Sequence, residues 1–364
     1  MNNDILYRIY KPGDELGIVK LLQETFITEQ QIDDHPGREC FNIDCWHWKY
    51  KMNPAGFFPD LIGVAELDGE IVGHEALQPV IISHNGNKVM VVQSMDSATA
   101  KRARRRGIFQ NLVRIVTQNA EKRRIPLIFG FVLKAGLGNI QDHKGASYKG
   151  FTDTLLWQVI DYFTRYIRIC NKERFRQLPT SVLKKKALLA VSHFKKVKDC
   201  QQGIEISEIS LSDNRLDVLA EEIANSNITT TYRDRKFLGW RLAIPNTKYK
   251  LIGAFVDNKL VGIAIMNHSH LSEGHGSIAD LMTTPSAEDS ATALAVHARE
   301  EIMNDVGYIT FKAVPNRFYN NAMSAAGFIR TSTNSAMIVY NIKSDKKHVD
   351  ATRWSTTAIE TDTG

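Results

Sequence analysis

The chain has 364 residues, 43% hydrophobic and 24% charged, which is enough for two cores of ordinary domain size. No apolar run approaches the ~18 residues needed to cross a bilayer, and Met1-Asn2-Asn3-Asp4-Ile5 lacks a basic stretch leading into an apolar one, so neither a transmembrane segment nor a secretory leader is expected. Cys40, Cys45, Cys170 and Cys200 form no Cys-x-x-Cys pair and have no histidines at zinc-finger spacing, which argues against a disulfide scaffold and a metal site and for a soluble, cytoplasmic protein with reduced thiols.

Tyr7-Arg8-Ile9-Tyr10 reads as a strand, and Pro12-Gly13-Asp14-Glu15 as a turn into a helix that carries Leu16, Val19, Leu22 and Phe26 on one stripe. Acids at the start of that helix suit its dipole. Leu61 to Leu67, Glu70 to Ile82 and Lys88 to Thr99 are strand-like runs separated by Asp68-Gly69 and Asn85-Gly86, the dipeptides of type I′ hairpin turns, which predicts a three-stranded antiparallel meander. From Ile108 to Lys122 the apolar positions Ile108, Leu112, Ile115, Val116 and Ala120 fall on one helical face, and Pro126 then opens the run Leu127 to Leu133. That is a helix crossing over to a buried strand.

The second half repeats this order about 190 residues later. Trp48-Lys49-Tyr50 is echoed by Trp240-Arg241-Leu242, and Leu61-Ile62-Gly63 with Ile71-Val72-Gly73 by Leu251-Ile252-Gly253 with Leu260-Val261-Gly262. A strand at Ser277 to Thr283, a helix at Ala291 to Asn304, a strand at Tyr308 to Val314, a helix at Arg317 to Ala326 and a strand at Ser335 to Tyr340 follow. The predicted boundaries are a first domain over 1–160, a connector over 161–203, a second domain over 204–343 and a disordered polar tail over 344–364.

The net charge of +6 is unevenly placed: Arg165 to Lys198 holds eleven Lys or Arg against Glu173 alone. This basic connector is either a solvated helix or a peripheral contact for an anionic surface, lipid or nucleic acid.

Between the third meander strand and the crossover helix lies Arg104-Arg105-Arg106-Gly107-Ile108-Phe109. A strand that turns into a helix through a basic, glycine-containing loop offers free backbone N–H groups to a diphosphate. The same run also suits an ordinary solvated loop. In the second half the corresponding loop, Thr283 to Ser290, has neither Arg nor Gly and carries Glu288 and Asp289.

Taken together, the meander strand ending in Asp96-Ser97-Ala98-Thr99, the arginine loop, the crossover helix and the buried strand resemble the GNAT superfamily of N-acetyltransferases. Arg104, Gly107 and Phe109 stand at the first, fourth and sixth positions of its Q/R-x-x-G-x-G/A loop pattern, Phe109 being a departure from the usual small residue. The resemblance implies an α/β (α+β) fold of two GNAT-like domains, each a mixed, mostly antiparallel central sheet flanked by helices, the second degenerate. It implies that Ser97, Ala98 and Thr99 pair with the pantetheine arm of acetyl-CoA and that Arg104, Arg105, Arg106, Gly107, Ile108 and Phe109 hold its pyrophosphate, with Asn139 nearby. The family's usual tyrosine acid is absent: Gln141 stands four residues before Gly145-Ala146, leaving Tyr148, His143 or a water as substitutes. Glu75 and Asp96, acids inside apolar strand runs, are the candidate general bases, with His74 a third; each also suits a structural or solvent-facing role.

The reading that follows is a metal-free N-acyltransferase, monomer or homodimer, which moves an acetyl group from acetyl-CoA to a primary amine acceptor, an amino sugar among the options. A noncatalytic binding protein of the same fold and an aminoacyl-tRNA-dependent transferase are the alternatives.

Overall fold

The computed structural model describes residues 4–28, 41–133, 147–148, 157–177, 203–269, 274–342 and 354–357. Its fold is mixed α/β, with mostly antiparallel sheet flanked by helices. Two compact units divide the chain: Met1–Ile82, Lys88–Asp161 and Asn334–Ala351 form the first, and Ser83–Asn87, Tyr162–Thr333 and Thr352–Gly364 the second. Among the described residues no helix is long and apolar enough to cross a membrane.

In the first unit β1 (Leu6–Ile9) leads to α1 (Asp14–Leu22), and α2 (Ile43–Trp46) continues into a wider turn over His47–Lys51. The meander follows as β2 (Ile62–Leu67), β3 (Glu70–His84, up to Ile82 in this unit) and β4 (Asn87–Thr99, from Lys88). Its two turns have both central residues in the left-handed region, Asp68 and Gly69 at φ 52° and 79°, Asn85 and Gly86 at 50° and 77°. That is the type I′ geometry that the two dipeptides were selected for. β1 pairs antiparallel with β2, from Leu6↔Glu66 to Ile9↔Gly63, and β2 with β3.

α3 (Ile108–Lys122) then crosses over to β5 (Leu127–Leu133), which lies parallel to β4 and antiparallel to residues Ser335–Asn341 of the chain's last strand. Gly107, left-handed at φ 73°, starts α3; Arg124, left-handed at φ 58°, ends it, as the Ile125 amide reaches back to the Ala120 carbonyl at 3.0 Å. The buried stripe is Ile108, Leu112, Val113, Val116, Thr117 and Ala120, with Ile115 half-buried at its margin. In α1 the stripe differs from the sequence expectation: Leu16 is 68% exposed, and Ile18, Val19, Leu21 and Leu22 face the core.

Glycines in the sheet set how closely α3 approaches. A Cβ at Gly73 would come within 2.4 Å of Ile108 Cγ2, and one at Gly63 within 3.2 Å of Val116 Cγ1. The missing side chains let the first turn of α3 rest on the strand backbone, which fixes where that helix begins.

The second unit is built around β6 (Trp157–Ile169, from Tyr162 onward), α4 (Lys172–Gln177), β7 (Glu205–Glu208), α5 (Arg215–Ala224), α6 (Arg235–Leu242), β8 (Tyr249–Val256), β9 (Lys259–Asn267), β10 (His275–Thr283), α7 (Glu288–Ile302), β11 (Tyr308–Ala313), α8 (Arg317–Ala325) and β12 (Ile329–Asn341, up to Thr333). Its strand order is β12-β6-β11-β10-β9-β8-β7. β8, β9 and β10 form an antiparallel meander, and α7 crosses over so that β11 lies parallel to β10, from His275↔Tyr308 to Ile278↔Phe311. One core packs Leu294, Ala295 and Ala298 of α7 on the sheet, and another packs Leu216, Leu219 and Leu238 of α5 and α6 against Leu251, Ile263 and Ile265. The predicted strand at Ser335 starts earlier, at Ile329, and the helix at Ala291 starts at Glu288.

Gly73→Val forces the branched side chain against Ile108 and should destabilise the protein by about 1–3 kcal/mol. A urea titration checks this, and an unchanged midpoint would show that α3 can simply move away.

Candidate active site

β4 and β5 pair in parallel from Val92↔Ile128 to Ser94↔Gly130, and among the described residues the ladder goes no further. Two residues on, Asp96 adopts φ 55°, an uncommon conformation in a strand. This bulge breaks the alternation of side chains. Ser94 and Ser97, three apart, would face opposite sides of a regular strand; here both reach Glu75. The Ser94 hydroxyl donates to Oε1 at 2.7 Å and the Ser97 hydroxyl donates to Oε2.

Glu75 is 1% exposed and lies on the face of β3 that α3 covers, two residues from Gly73. Burial raises its pKa to about 7, against the lowering effect of the two serine hydroxyls and with a small further rise from the charge of Asp96. A carboxyl poised near neutral pH can accept a proton under physiological conditions and release it again. The solvent-facing reading of Glu75 does not describe this burial.

Asp96 points into a different cluster. Lys49 Nζ lies 3.0 Å from both carboxylate oxygens and the Tyr50 hydroxyl donates to Oδ2 at 2.6 Å, with the Lys49 and Asp96 side chains 4% and 5% exposed. Burial works to raise the Asp96 pKa, but Lys49, His74 and the two hydrogen-bond donors outweigh it and hold the carboxylate below its ordinary range. His74 Nδ1 is 2.9 Å from the Asp96 carbonyl oxygen. A carbonyl only accepts, so the ring proton sits on Nδ1 and Nε2 keeps its lone pair. Burial, the largest influence, lowers the His74 pKa, against the raising effect of Asp96. Among the described residues Nε2 has no hydrogen-bond partner.

Beyond the bulge, Ala98 is buried and Thr99 lends its carbonyl to Arg104 Nε at 3.1 Å, which folds the loop back on the strand end. Arg104, Arg105, Arg106 and Gly107 are exposed, Ile108 is buried against Gly73, and Phe109 is half-buried. Among the described residues no side chain caps α3, and its first turn holds no acid that would offset the positive end of the dipole. Asn139, Gln141, His143, Gly145 and Ala146 lie outside the described residues, as do Cys40, Cys200 and most of the basic connector; Tyr148 is described only as a bridge partner of Trp157. Among the described residues no group of His, Cys, Asp and Glu is arranged to hold a metal ion.

Sequence reasoning missed Ser94, Lys49 and Tyr50 as members of this site. The signal for Lys49 was present, since a cation inside the aromatic run Trp46 to Tyr50 calls for a buried anion. A separate cleft of about 400 Å³ is lined by Arg8, Asp14, Lys20, Glu66, Glu70 and Arg102 among others. Its cations are already bonded to its acids, Arg8 to Asp14 and Glu66 and Arg102 to Glu70, and it shares no residue with the Glu75 cluster.

A bulged β4, its interrupted ladder with β5 and the loop into α3 fall inside residues 7–137, which match the model of the GNAT acetyltransferase domain. Residues 7–137 are a GNAT acetyltransferase domain. The chain therefore carries an acyltransferase domain. No sequence among the curated proteins matches it.

Solved structures extend the fold match past the GNAT domain to most of the chain. A probable N-acyltransferase of Enterococcus faecalis superimposes with a TM-score of 0.60 at 11% identity, over 93% of this chain and 73% of that one. A GCN5-related N-acetyltransferase of Anabaena variabilis gives 0.59 at 11%, over 93% and 73%. Saccharomyces cerevisiae N-myristoyltransferase, solved with myristoyl-CoA bound, gives 0.58 at 10%, over 94% and 81%.

Glu75 holds its proton more tightly in the folded GNAT domain than in an unfolded chain, so its contribution to stability is full below pH 4.5 and declines as pH rises through about 7. Glu75→Gln should abolish a decline on the order of 3 kcal/mol across that window. Unfolding free energies measured from pH 4.5 to 8 test this; wild type as flat as the variant would refute a raised pKa. Asp96 behaves oppositely, since its depressed pKa contributes stability above the ordinary carboxylate range that is lost on acidification. Lys49→Met leaves that carboxylate buried without its cation and should cost about 3–5 kcal/mol at neutral pH by chemical denaturation.

Proposed function

We propose that the chain is an acyl-CoA-dependent N-acyltransferase whose donor binds in the first unit along the end of β4. One observation carries this reading: the ladder with β5 stops at Ser94 while β4 runs on through the Asp96 bulge and feeds the uncapped start of α3. A strand with an open side accepts an extended pantetheine arm as it would accept a peptide. The loop also fits the diphosphate. Gly107 is left-handed and has no side chain to obstruct it, the first turn of α3 has no acid, and Arg104, Arg105 and Arg106 stand exposed beside it.

When bound, the thioester supplies an activated acyl group, and the chain's own residues position the amine and take its proton. Holding both reactants in one cleft replaces a bimolecular encounter and accounts for several kcal/mol of the barrier. Glu75 is the better base of the two candidate acids. Its carboxyl is balanced near neutrality, whereas Asp96 is held ionised by Lys49 and Tyr50 and serves to pin the bulge. Because Glu75 accepts from Ser97, a proton arriving at Ser97 Oγ is passed on as the hydroxyl's own proton moves to Glu75. Ser97 thus links a buried base to the strand end where the amine would attack. We assign acetyl as the acyl group and a primary amine as acceptor, an amino sugar being the first class to test.

Acetyl-CoA should raise the melting temperature more than a long-chain acyl-CoA does. Gly107→Glu, which sets an acid against the diphosphate, should weaken that binding at least about a hundredfold, since like charges brought together cost several kcal/mol. Glu75→Gln should keep acyl-CoA affinity and lower kcat by about 10²–10⁴, with the wild-type rate climbing through pH 7 as Glu75 ionises. Wild-type protein that binds no acyl-CoA would overturn the reading.

A further inference from the structure

The second unit has a gap of the same design as the one at the end of β4. Its parallel ladder ends at Ile278↔Phe311, and a buried acid, Asp280, follows two residues later, as Asp96 follows Ser94. Asp280 is ion-paired with Arg233 at 2.6 Å, both side chains fully buried. β11 continues past the ladder to Ala313, which pairs with Thr164 of β6 on one side. On its other side Ala313 pairs with Thr357.

A short segment of the chain, Trp354–Thr357, fills this gap. The Val314 amide donates to the Thr356 carbonyl at 3.1 Å, and the Ser355 amide donates to the Thr229 carbonyl at 2.8 Å. The Ser355 and Tyr319 hydroxyls are 2.8 Å apart, and the Thr357 hydroxyl donates to Asp280 Oδ1 at 2.7 Å. Trp354 is 4% exposed, Thr356 2% and Thr357 0%. Backbone and side chains are therefore read together, which is how a strand gap recognises an extended peptide.

We infer that this gap is a binding site for an extended peptide with a tryptophan followed by small hydroxyl residues, that the chain fills it with its own Trp354–Thr357, and that the second unit consequently takes no acyl-CoA. The start of α7 agrees. Glu288 and Asp289 occupy its first turn, where they satisfy the helix dipole and repel a diphosphate, and Thr284-Pro285-Ser286-Ala287 provides no left-handed glycine.

The test uses the full chain. Ala313→Cys with Thr357→Cys places two thiols at directly paired strand positions, a separation suited to a disulfide. Mild oxidation should join them in most molecules, seen as a linked peptide by mass spectrometry. Hydrogen exchange on the unaltered chain should find the Val314 and Ser355 amides protected, and Thr357→Val should speed exchange at Val314 at least tenfold. Absence of the cross-link together with unprotected amides would overturn the inference, and so would a titration finding two acyl-CoA sites per chain. One site is the expected result, which rests on the proposed function of the first unit; finding none would remove that reading, while the seating of the segment would still be decided by the cross-link and exchange.

Discussion

The contact between Lys49 and Asp96 is the constraint on which the geometry of the Glu75 cluster depends. A left-handed non-glycine residue in a strand stores strain of order 1–3 kcal/mol, whereas removing one partner of a buried ion pair costs about 3–5 kcal/mol. The ion pair, with Tyr50 and His74 closing on the same residue, anchors the bulge, because moving Asp96 away would leave Lys49 buried without its anion. Three things follow from that one displaced residue. Ser94 and Ser97 converge on Glu75, the ladder with β5 ends, and β4 enters the arginine loop as an open strand. The Glu75 cluster and the open strand end share a single mechanical origin.

The second unit meets the same constraint with different residues. Arg233 replaces lysine as the buried cation, and its remaining donors go to Thr230 and to the Thr231 carbonyl. Glu288 and Asp289 stand in the first turn of α7, and Arg233 and Asp280 form the unit's buried pair. Each unit thus sets a buried strand acid against a buried cation, and this is why Asp96 is proposed as a positioning group rather than as a base.

Much of the architecture was legible because it is encoded locally. Asp68-Gly69 and Asn85-Gly86 dictate their turns through backbone conformation alone, and the stripe from Ile108 to Ala120 has only one solution as a helix face. α1 was misread at Leu16 because Ile18 and Leu21 offer a second apolar stripe, and only the packing of the unit chooses between them. Strand β12 was read short, since Arg330-Thr331-Ser332-Thr333-Asn334 is polar and is drawn into the ladder by neighbours distant in sequence. Glu75 and Asp96 stood out as acids among apolar residues, but their partners did not. Lys49 is 47 positions from Asp96, and the left-handed turn that brings Ser94 and Ser97 to the same side leaves no mark on composition or periodicity.

The two units are each discontinuous, and this has a kinetic consequence. β5 of the first unit is completed by Ser335–Asn341, some 200 residues downstream, while the second unit is completed by Trp354–Thr357, which lies beyond that insertion. Each core must close long loops before its last strand is rewarded with hydrogen bonds, an ordering that raises contact order and slows folding. The chain cannot be cut at one point into two self-sufficient halves. An early-synthesised GNAT domain would wait, with one edge of β5 unpaired, for residues from the far end of the sequence.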